Sequence, residues 1–427
     1  MTEQCIITKD GYAIYSYPNT HLHSFCICLY CKAGPLYEAK EENGLSHFFE
    51  HIVFKNVNRI YGGQLYQTLD RLGLSFNAGT YREMIQFTIT GAPQHFQVAA
   101  QILSQIFTDV ELTEEEIELE RKRILAEIRE ANEKKELDYF AQKIIWKGTN
   151  LSRSILGKKK RLNQVVCGEL EELQSEILHP DHCFFYLTGA VTEEQIEYLK
   201  DIVEKVPDTE RIAAQMVQKR SNEAVFPKEF FHRKPKVHWM KSSTSELCFA
   251  FDFRNQTHNE AERSMLYDLL FSGDYSRMFV ELSEKTGYVY SFDAQLEEYC
   301  NGGNLYFSFE IDPANVKKAA KKVVEILKEL KEGKNICLDY VFPIYLDNGE
   351  MQLDDAENWN WTLAYERHYL NQEWDSLEER QEYYRQVTPE KIQALAKEMF
   401  QPENMTVCYK GKEKDIPKNF EKLVFGI

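Results

Sequence analysis

The chain lacks the features that mark exported and membrane-spanning proteins. Its first residues, Met1 to Cys5, contain no basic start followed by an apolar core, so they do not indicate a secretory signal. No apolar run approaches the ~18–20 residues that span a bilayer. Proline and glycine are scarce, at 12 and 20 of 427 residues, which disfavours long linkers. We expect a soluble, cytoplasmic protein without a membrane partner; export by an unusual route is the alternative.

Positive charge is also in deficit. Lysine and arginine number 51 against 68 aspartates and glutamates, a net charge of −17. Nucleic-acid binding depends on basic patches that neutralise phosphates, so we expect no nucleic-acid partner. A hydrophobic content of 43% and a charged content of 28% are typical of a globular protein with room for two or three domains.

The cysteines provide no disulfide framework. Ten are scattered along the chain, and the cluster Cys26-Ile27-Cys28-Leu29-Tyr30-Cys31 invites interpretation as a metal site. However, Cys26 and Cys28 alternate in an apolar, strand-like run, and a second ligand pair at zinc-finger spacing is missing. We therefore interpret them as reduced structural thiols that pack as small hydrophobic groups.

An internal repeat dominates the organisation of the chain. Residues 164–189 and 386–411 have equal length, and each predicts an amphipathic helix, a proline-marked turn and a strand that ends at glycine. Residues 65–90 correspond more loosely to 278–310. The chain therefore contains two copies of one α+β unit.

The boundary between the copies is predicted in a polar, basic stretch that contains Pro227 and Pro235. We expect an N-terminal domain at residues 1–214, a linker at 215–236 and a homologous C-terminal domain at 237–427.

The motif that carries chemistry is His47-Phe48-Phe49-Glu50-His51. On a helix, His47 and His51 project from one face, one turn apart, close enough to share a metal ion. Imidazole nitrogen suits zinc, and Glu50 beside it can activate water as a general base. The order inverts the commoner His-Glu-x-x-His pattern and is a signature of zinc peptidases, although so short a pattern also arises by chance.

A third zinc ligand is expected from a helix that a capping box opens at Thr113. Glu120 and Glu127 lie two helical turns apart on the apolar face of that helix, where a solvated acidic helix has no reason to place carboxylates. Both are candidates. Glu118 and Glu130 are interpreted as ordinary surface charges.

With these residues, the chain resembles the pitrilysin/insulinase family of inverzincin metallopeptidases, in its short-chain, mitochondrial-processing-peptidase-like branch. The family carries the inverted motif and, further along, a glutamate ligand that a Glu-Arg pair precedes by seven residues. Glu127 matches the ligand and Glu120-Arg121 the pair. The resemblance covers essentially the whole chain.

The resemblance implies one Zn²⁺ per chain, bound by His47, His51 and Glu127. Glu50 would be the general base, and Glu120 would orient a ligand. The implied fold is α+β: two homologous roll domains, each a mostly antiparallel sheet with helices packed on it, as in the processing-peptidase/LuxS-like metallohydrolases.

The second half lacks metal ligands, since Met265–Leu270 occupies the helix that corresponds to the zinc motif.

The family also has an edge strand to which peptide substrate adds through main-chain hydrogen bonds. The segment Ser75–Tyr81 matches this strand, and its predicted substrate-binding residues are Asn77, Ala78, Gly79 and Thr80. Ordinary turn chemistry is the alternative explanation of Asn77 and Gly79.

One departure from the family lies in the second half. Active relatives carry an arginine and a tyrosine seven residues apart that contact substrate and the developing oxyanion. Here Tyr290 fills the catalytic tyrosine position, but Ser283 replaces the arginine. In two-chain relatives the partner supplies this pair, so we expect a heterodimer with a homologous subunit that has the pair but no zinc, rather than a homodimer. The alternative is that Arg277 or another basic residue takes over.

The sequence therefore predicts a zinc endopeptidase that forms half of a clamshell and cleaves peptides or unfolded segments. Two-chain bacterial enzymes that resemble it often remove leader peptides from ribosomally made, modified peptides, so leader removal is weighed against general peptide turnover. The competing hypotheses are a non-catalytic assembly subunit and a peptide-binding chaperone of the same fold.

Overall fold

The two sequence repeats fold in the same way. In the computed structural model, which describes residues 2–254 and 259–427, the first repeat forms a helix at Cys167–Ile177 and a strand at Cys183–Gly189. The second forms a helix at Pro389–Met399 and a strand at Met405–Gly411, so every boundary lies 222 residues after its counterpart. The predicted duplication is confirmed.

The described residues divide into two compact units, and each draws on more than one segment. The first unit comprises the residues up to Ala131, Arg153–Asn222 and Glu350–Leu377. Its sheet consists of β1 (Gln4–Ile7), β2 (Ala13–Pro18), β3 (Phe25–Cys31), β4 (Ser75–Thr80), β5 (Ile85–Gly91) and β6 (Cys183–Gly189).

The second unit comprises Asn132–Ser152, Glu223–Gly349 and Glu378–Ile427. Its sheet consists of β7 (Val237–Lys241), β8 (Glu246–Arg254), β9 (Asp293–Tyr299), β10 (Gly302–Glu310) and β11 (Met405–Gly411). The predicted domains at residues 1–214 and 237–427 are the two copies of the duplicated sequence rather than the compact units. That division, with its linker at 215–236, stays a prediction.

The two sheets share one topology. The strand order β2-β6-β3-β5-β4 of the first unit matches β7-β11-β8-β10-β9 of the second, and β1 extends the first sheet. In each sheet one neighbouring pair is parallel, β2 with β6 or β7 with β11, and the others are antiparallel. This agrees with the predicted pair of mostly antiparallel sheets.

Helices pack on both sheets. In the described part of the chain they are α1 (Leu45–Ile60), α2 (Leu65–Leu72), α3 (Phe96–Ser104), α4 (Glu114–Ala131), α5 (Leu137–Ile145), α6 (Lys159–Leu162), α7 (Cys167–Ile177), α8 (Glu193–Val203), α9 (Pro207–Ala213), α10 (Glu260–Phe271), α11 (Arg277–Phe279), α12 (Val316–Lys331), α13 (Phe342–Tyr345), α14 (Ala356–Leu363), α15 (Leu377–Arg385), α16 (Pro389–Met399) and α17 (Phe420–Val424). Over residues 2–254 and 259–427, none of them is long and apolar enough to cross a membrane.

Strand β3 is buried along its whole length because both of its faces are covered. Ile27 and Leu29 face the core that includes α1, whereas Cys26 and Cys28 face a second cluster that includes α14. Cys26 and Cys28 therefore share one face, as predicted, and Cys31 lies on the other. The ten cysteines are free thiols, and six of them, among them Cys26, Cys28 and Cys31, are buried.

Candidate metal centre

The start of α1 is fixed by a buried carboxylate outside the helix. Glu38 Oε2 accepts a hydrogen bond from the Gly44 backbone N–H at 2.9 Å, and Glu38 Oε1 accepts from that of Ser46 at 2.9 Å. These contacts satisfy backbone donors that the first helical turn leaves unpaired. Gly44 has a φ of 96°, and a Cβ there would lie 2.6 Å from Gly157 Cα, so only glycine fits.

The motif divides its side chains between the core and the site. Phe48 and Phe49 are fully buried in the core. His47 is buried, and His51 and Glu50 are half-buried. The imidazole rings of His47 and His51 meet edge to face with their centroids 4.8 Å apart, as neighbours on one helix face.

Helix α4 brings Glu127 to these two rings. Glu127 Oε2 lies 3.5 Å from His47 Nε2 and 3.5 Å from His51 Nε2. The donor atoms of these three residues all lie within 4.8 Å of one another. They form the candidate metal-binding group found among the described residues.

The donor set suits zinc. Two imidazole nitrogens and one carboxylate oxygen form the ligand set of a catalytic zinc site with one position left open. Donors on a tetrahedral zinc ion with bonds of about 2.0–2.1 Å are separated by roughly 3.3 Å. The separations of 3.5 Å from Glu127 to each histidine are close to that value, and all three donor atoms lie within 4.8 Å of one another, so small side-chain shifts would let His47, His51 and Glu127 hold the ion.

The charges of the site keep Glu120 and Glu127 ionised. Contact with His47 is the main cause that lowers the pKa of Glu127. Burial alone would raise the pKa of Glu120, but contacts with His51 and Arg123 outweigh burial and lower it. Burial alone would likewise lower the pKa of His51, but Glu120 and the neighbouring carboxylates raise it. Both carboxylates are therefore anionic and available at neutral pH.

Helix α4 is anchored at two points. The predicted capping box is present: Thr113 Oγ1 accepts from the Glu116 backbone N–H at 3.3 Å, and Glu116 Oε2 accepts from that of Thr113 at 2.9 Å. The buried Arg121 donates to the carbonyl oxygens of Leu162 and Val165. These contacts hold α4 in the orientation that presents Glu120 and Glu127 to the two histidines.

Glu120 lies beside His51, a candidate metal ligand. Its Oε2 is 3.8 Å from His51 Nδ1, and its Oε1 accepts from Arg123 Nη1 at 2.8 Å. The contact lies on the side of the His51 ring opposite the nitrogen that faces Glu127, so Glu120 can orient that ring. By contrast, the half-exposed Glu118 accepts a hydrogen bond from Nε of the buried Arg121 at 2.7 Å.

Strand β4 supplies a partner for Glu50. Thr80 Oγ1 donates a hydrogen bond to Glu50 Oε2 at 2.6 Å. The half-exposed Tyr81 comes next, and burial together with the Glu50 charge raises its pKa. The Tyr81 ring also packs over Gly79, where a Cβ would lie 3.2 Å from the ring.

Asn77, Ala78, Gly79 and Thr80 all lie in regular strand β4, so the turn explanation of Asn77 and Gly79 is wrong. Among the described residues, β4 pairs with β5 on one side and is the edge of its sheet. An edge strand presents unpaired backbone groups to which another chain can add.

A cavity of about 310 Å³ opens next to Glu50 and His51. Its remaining lining residues are Phe54, Lys55, Asn58, Tyr66, Glu120 and Arg123.

The residues singled out in the second half lie in the second unit. Tyr290 is 92% exposed. Ser283 lies in a π-helical turn at Val280–Glu284, and its carbonyl oxygen accepts a hydrogen bond from the Gly287 N–H at 2.7 Å. Arg277 Nη2 pairs with Glu329 Oε2 at 2.6 Å. The guanidinium of Arg277 is therefore already engaged, which weakens the alternative that it replaces the missing arginine.

Three contacts of the site are not predictable from residue spacing: the Glu38 hydrogen bonds to the start of α1, the Thr80–Glu50 hydrogen bond and the packing of the Tyr81 ring over Gly79. Glu38 precedes the helix start by several residues and has no fixed spacing to it. An acidic residue upstream of Gly44 was the one available signal for the cap.

Two family models match the chain. The one described as "Insulinase (Peptidase family M16)" matches residues 15–159, and the one described as "Peptidase M16 inactive domain" matches residues 167–336. The first span contains all the residues that surround the candidate metal centre.

Relatives and solved structures agree with these matches. The chain is 24% identical over 336 residues to an uncharacterized zinc protease of Rickettsia bellii, covering 75% of this chain and 78% of that protein. It is 30% identical over 173 residues to the mitochondrial-processing peptidase subunit beta of Dictyostelium discoideum, covering 40% of this chain and 37% of that subunit. A protease structure from Helicobacter pylori matches with a TM-score of 0.84 at 17% identity, covering 96% of this chain and 99% of that one. At this identity the structural match shows the fold, and the predicted fold class is confirmed.

Proposed function

We propose that this chain, which belongs to the insulinase family (peptidase family M16), is a zinc-dependent endopeptidase. Its substrates would be peptides or unfolded segments. The observation that carries the proposal is the convergence of His47, His51 and Glu127 within 4.8 Å beside Glu50. A scaffold subunit has no need of this arrangement.

Each residue of the site has a defined task in this proposal. Zinc held by the two histidines and Glu127 would supply Lewis-acid polarisation of the scissile carbonyl. Glu50 takes a proton from the attacking water and later delivers it to the leaving amine. Thr80 holds the Glu50 carboxylate in place through its 2.6 Å hydrogen bond.

Strand β4 is the proposed substrate platform. An extended peptide would add to its free edge through main-chain hydrogen bonds, which selects unfolded segments over folded proteins. Leader-peptide removal is one specific role for such a site, and general peptide turnover is the other; the name of one relative, a mitochondrial-processing peptidase subunit, supports a role in processing. Free cysteines suit a cytoplasmic, reducing compartment.

Replacement of Glu50 tests the proposal. Unstructured peptides are incubated with the zinc-loaded chain, alone and with a homologous partner subunit, and the fragments are identified by mass spectrometry. Glu50→Gln should lower the cleavage rate by about 10²–10⁴ because it removes the general base. The control Glu130→Gln, on the exposed end of α4, should cleave as the parent chain does. Equal cleavage by both variants, or none by the parent chain in either setting, would contradict the proposal.

The partner is the second element of the proposal. Ser283 offers no fixed cationic fork, so the chain alone would lack one contact to the developing oxyanion, and loss of such a contact costs about 10²–10³ in rate. We therefore assign it a homologous partner that supplies the arginine and tyrosine, with Tyr290 as the remaining half of the pair in this chain.

The Ser283→Arg variant tests the assignment, since it should raise cleavage by the isolated chain at least about tenfold, whereas Ser283→Gln should not. Fast cleavage by a homogeneous homodimer of the parent chain, unchanged when partner is added, would exclude the heterodimer.

A further inference from the structure

A second cavity lies in the second unit, away from any residue assigned to peptide cleavage. Its volume is about 410 Å³. The end of α5, the segment before β7, and strands β7 and β11 form its walls, and an apolar floor is provided by Ile144, Pro227, Phe230 and Met405.

Cationic side chains surround this floor. Lys147, Lys234 and Lys236 line the cavity, and all three are exposed, with no ion pair to a carboxylate of the described residues. Glu229 is the one acidic residue of the lining. In a chain whose net charge is −17, this local excess of positive charge is unusual.

Arg233 has a different task. Its guanidinium binds Asp252 Oδ2 at 2.8 Å and donates to the carbonyl oxygens of Ile144 and Ile145 at the end of α5. Arg233 therefore stabilises the wall of the cavity, and the three lysines remain available to a ligand.

The pKa of His238 on β7 is affected by the positive charges around the cavity. Burial is the main cause that lowers its pKa, and the charges of Lys236, Arg233 and Lys147 lower it further, against the opposing charge of Glu421. An anion in the cavity would relieve this repulsion between positive charges.

The buried hydroxyl of Thr406 is a second, independent observation that supports a ligand site here. Thr406 lines the cavity from β11, is only 2% exposed, and its hydroxyl has no hydrogen-bond partner among the described residues. A buried hydroxyl without a partner costs free energy unless a ligand or water satisfies it.

We propose that this cavity binds a small amphipathic organic anion, with an oxyanion head group held by Lys147, Lys234 and Lys236 and an apolar body on the floor beside Thr406. Its volume is within the range of small-molecule sites, and a mostly apolar lining with a few converging polar groups is typical of them. An extended nucleic acid would not fit such a cavity. A carboxylate and a phosphate ester offer the same head-group chemistry to the lysines.

Binding of simple eight-carbon probes tests the proposal. The full-length, zinc-loaded chain is titrated by calorimetry with octanoate, octyl phosphate, octanol and octylammonium. Both anions should bind at least about tenfold more tightly than octanol, since each ammonium–oxyanion hydrogen bond is charge-assisted. The tighter of the two anions identifies the head group. Octylammonium or octanol binding as tightly as the anions would overturn the proposal.

Matched variants locate the site. Lys234→Glu/Lys236→Glu should weaken octanoate binding at least about tenfold. Lys412→Glu/Lys414→Glu changes the net charge equally at two exposed lysines with the same spacing outside the lining, and should bind octanoate as the parent chain does. Equal affinities of the two double variants would overturn the proposal.

Thr406→Val tests the buried hydroxyl. This near-isosteric change should weaken octanoate binding by about three- to tenfold, without lowering the melting temperature, because it removes an unpaired polar group. The His238 resonance of histidine-labelled protein should shift on addition of octanoate. Unchanged affinity in Thr406→Val, or no His238 shift at saturation, would contradict this placement of the ligand.

Discussion

The hydroxyl of Thr80 donates to Glu50 Oε2 at 2.6 Å, and this contact fixes one oxygen of the proposed general base. The other oxygen remains available for a water molecule. A carboxylate so held loses less rotamer freedom when it takes up its catalytic position. Thr80 therefore acts through Glu50 and is a positioning residue.

Substitution of Thr80 should affect the chemical step more than substrate binding. In Thr80→Val, kcat should fall by about three- to tenfold, because a hydrogen bond to a charged group is lost, while KM stays close to the parent value. Thr80→Ser keeps the hydroxyl and should retain most of kcat. Steady-state kinetics on one peptide measures both parameters. A Thr80→Val enzyme with unchanged kcat, or a Thr80→Ser enzyme as slow as it, would contradict this role.

At the residue scale, fixed spacing decided what the sequence could predict. His47 and His51 share a helix face because they are one turn apart, and Glu120 and Glu127 do so because they are two turns apart. The convergence of the two helices came from the family resemblance. Glu38 and Thr80 have no such spacing, since their contacts to α1 exist only after the chain has folded.

At the scale of elements, the free edge of β4 is the feature with most functional consequence. It pairs with β5 on one side, and Thr80 at its end touches Glu50. A substrate strand added there would be aligned directly beside the proposed general base.

Backbone N-methylation of a peptide substrate tests this mode of binding. In an antiparallel pair, alternate residues bond to the neighbouring strand, so methylation at every second backbone nitrogen near the cleavage site should lower kcat/KM, and methylation at the intervening ones should have little effect. A series of singly methylated peptides measures this pattern. A uniform loss, or none, would indicate that substrate does not add as a strand.

Packing partners of the helices were harder to predict than the elements themselves. The amphipathic pattern identifies which face of a helix is buried but not which sheet covers it. Thus α14, late in the chain, packs on the first sheet, where the amide of Asn360 donates to the Tyr186 carbonyl at 2.9 Å. Helix α5, from the first half, packs on β11 in the second unit. By contrast, the repeat predicted α7, β6, α16 and β11 well, because two copies of one pattern support each other.

At the scale of the whole molecule, the chain carries two copies of one fold but one ligand set. Helix α10 corresponds to α1, and the buried Met265 and Leu266 of α10 contribute to the core of the second unit. Apolar residues there pack and cannot bind metal, so one zinc ion per chain is expected.

Zinc content tests the central claim most directly, because it does not depend on substrate or partner. The purified chain is reconstituted with zinc, dialysed, and measured by inductively coupled plasma mass spectrometry beside Glu127→Gln, His51→Asn and the control Glu130→Gln. We predict close to one zinc per chain in the parent and in Glu130→Gln. The two ligand variants should lose most of their zinc, because the ion needs all three protein donors to be held tightly. A parent chain that holds no more zinc than Glu127→Gln would contradict the account.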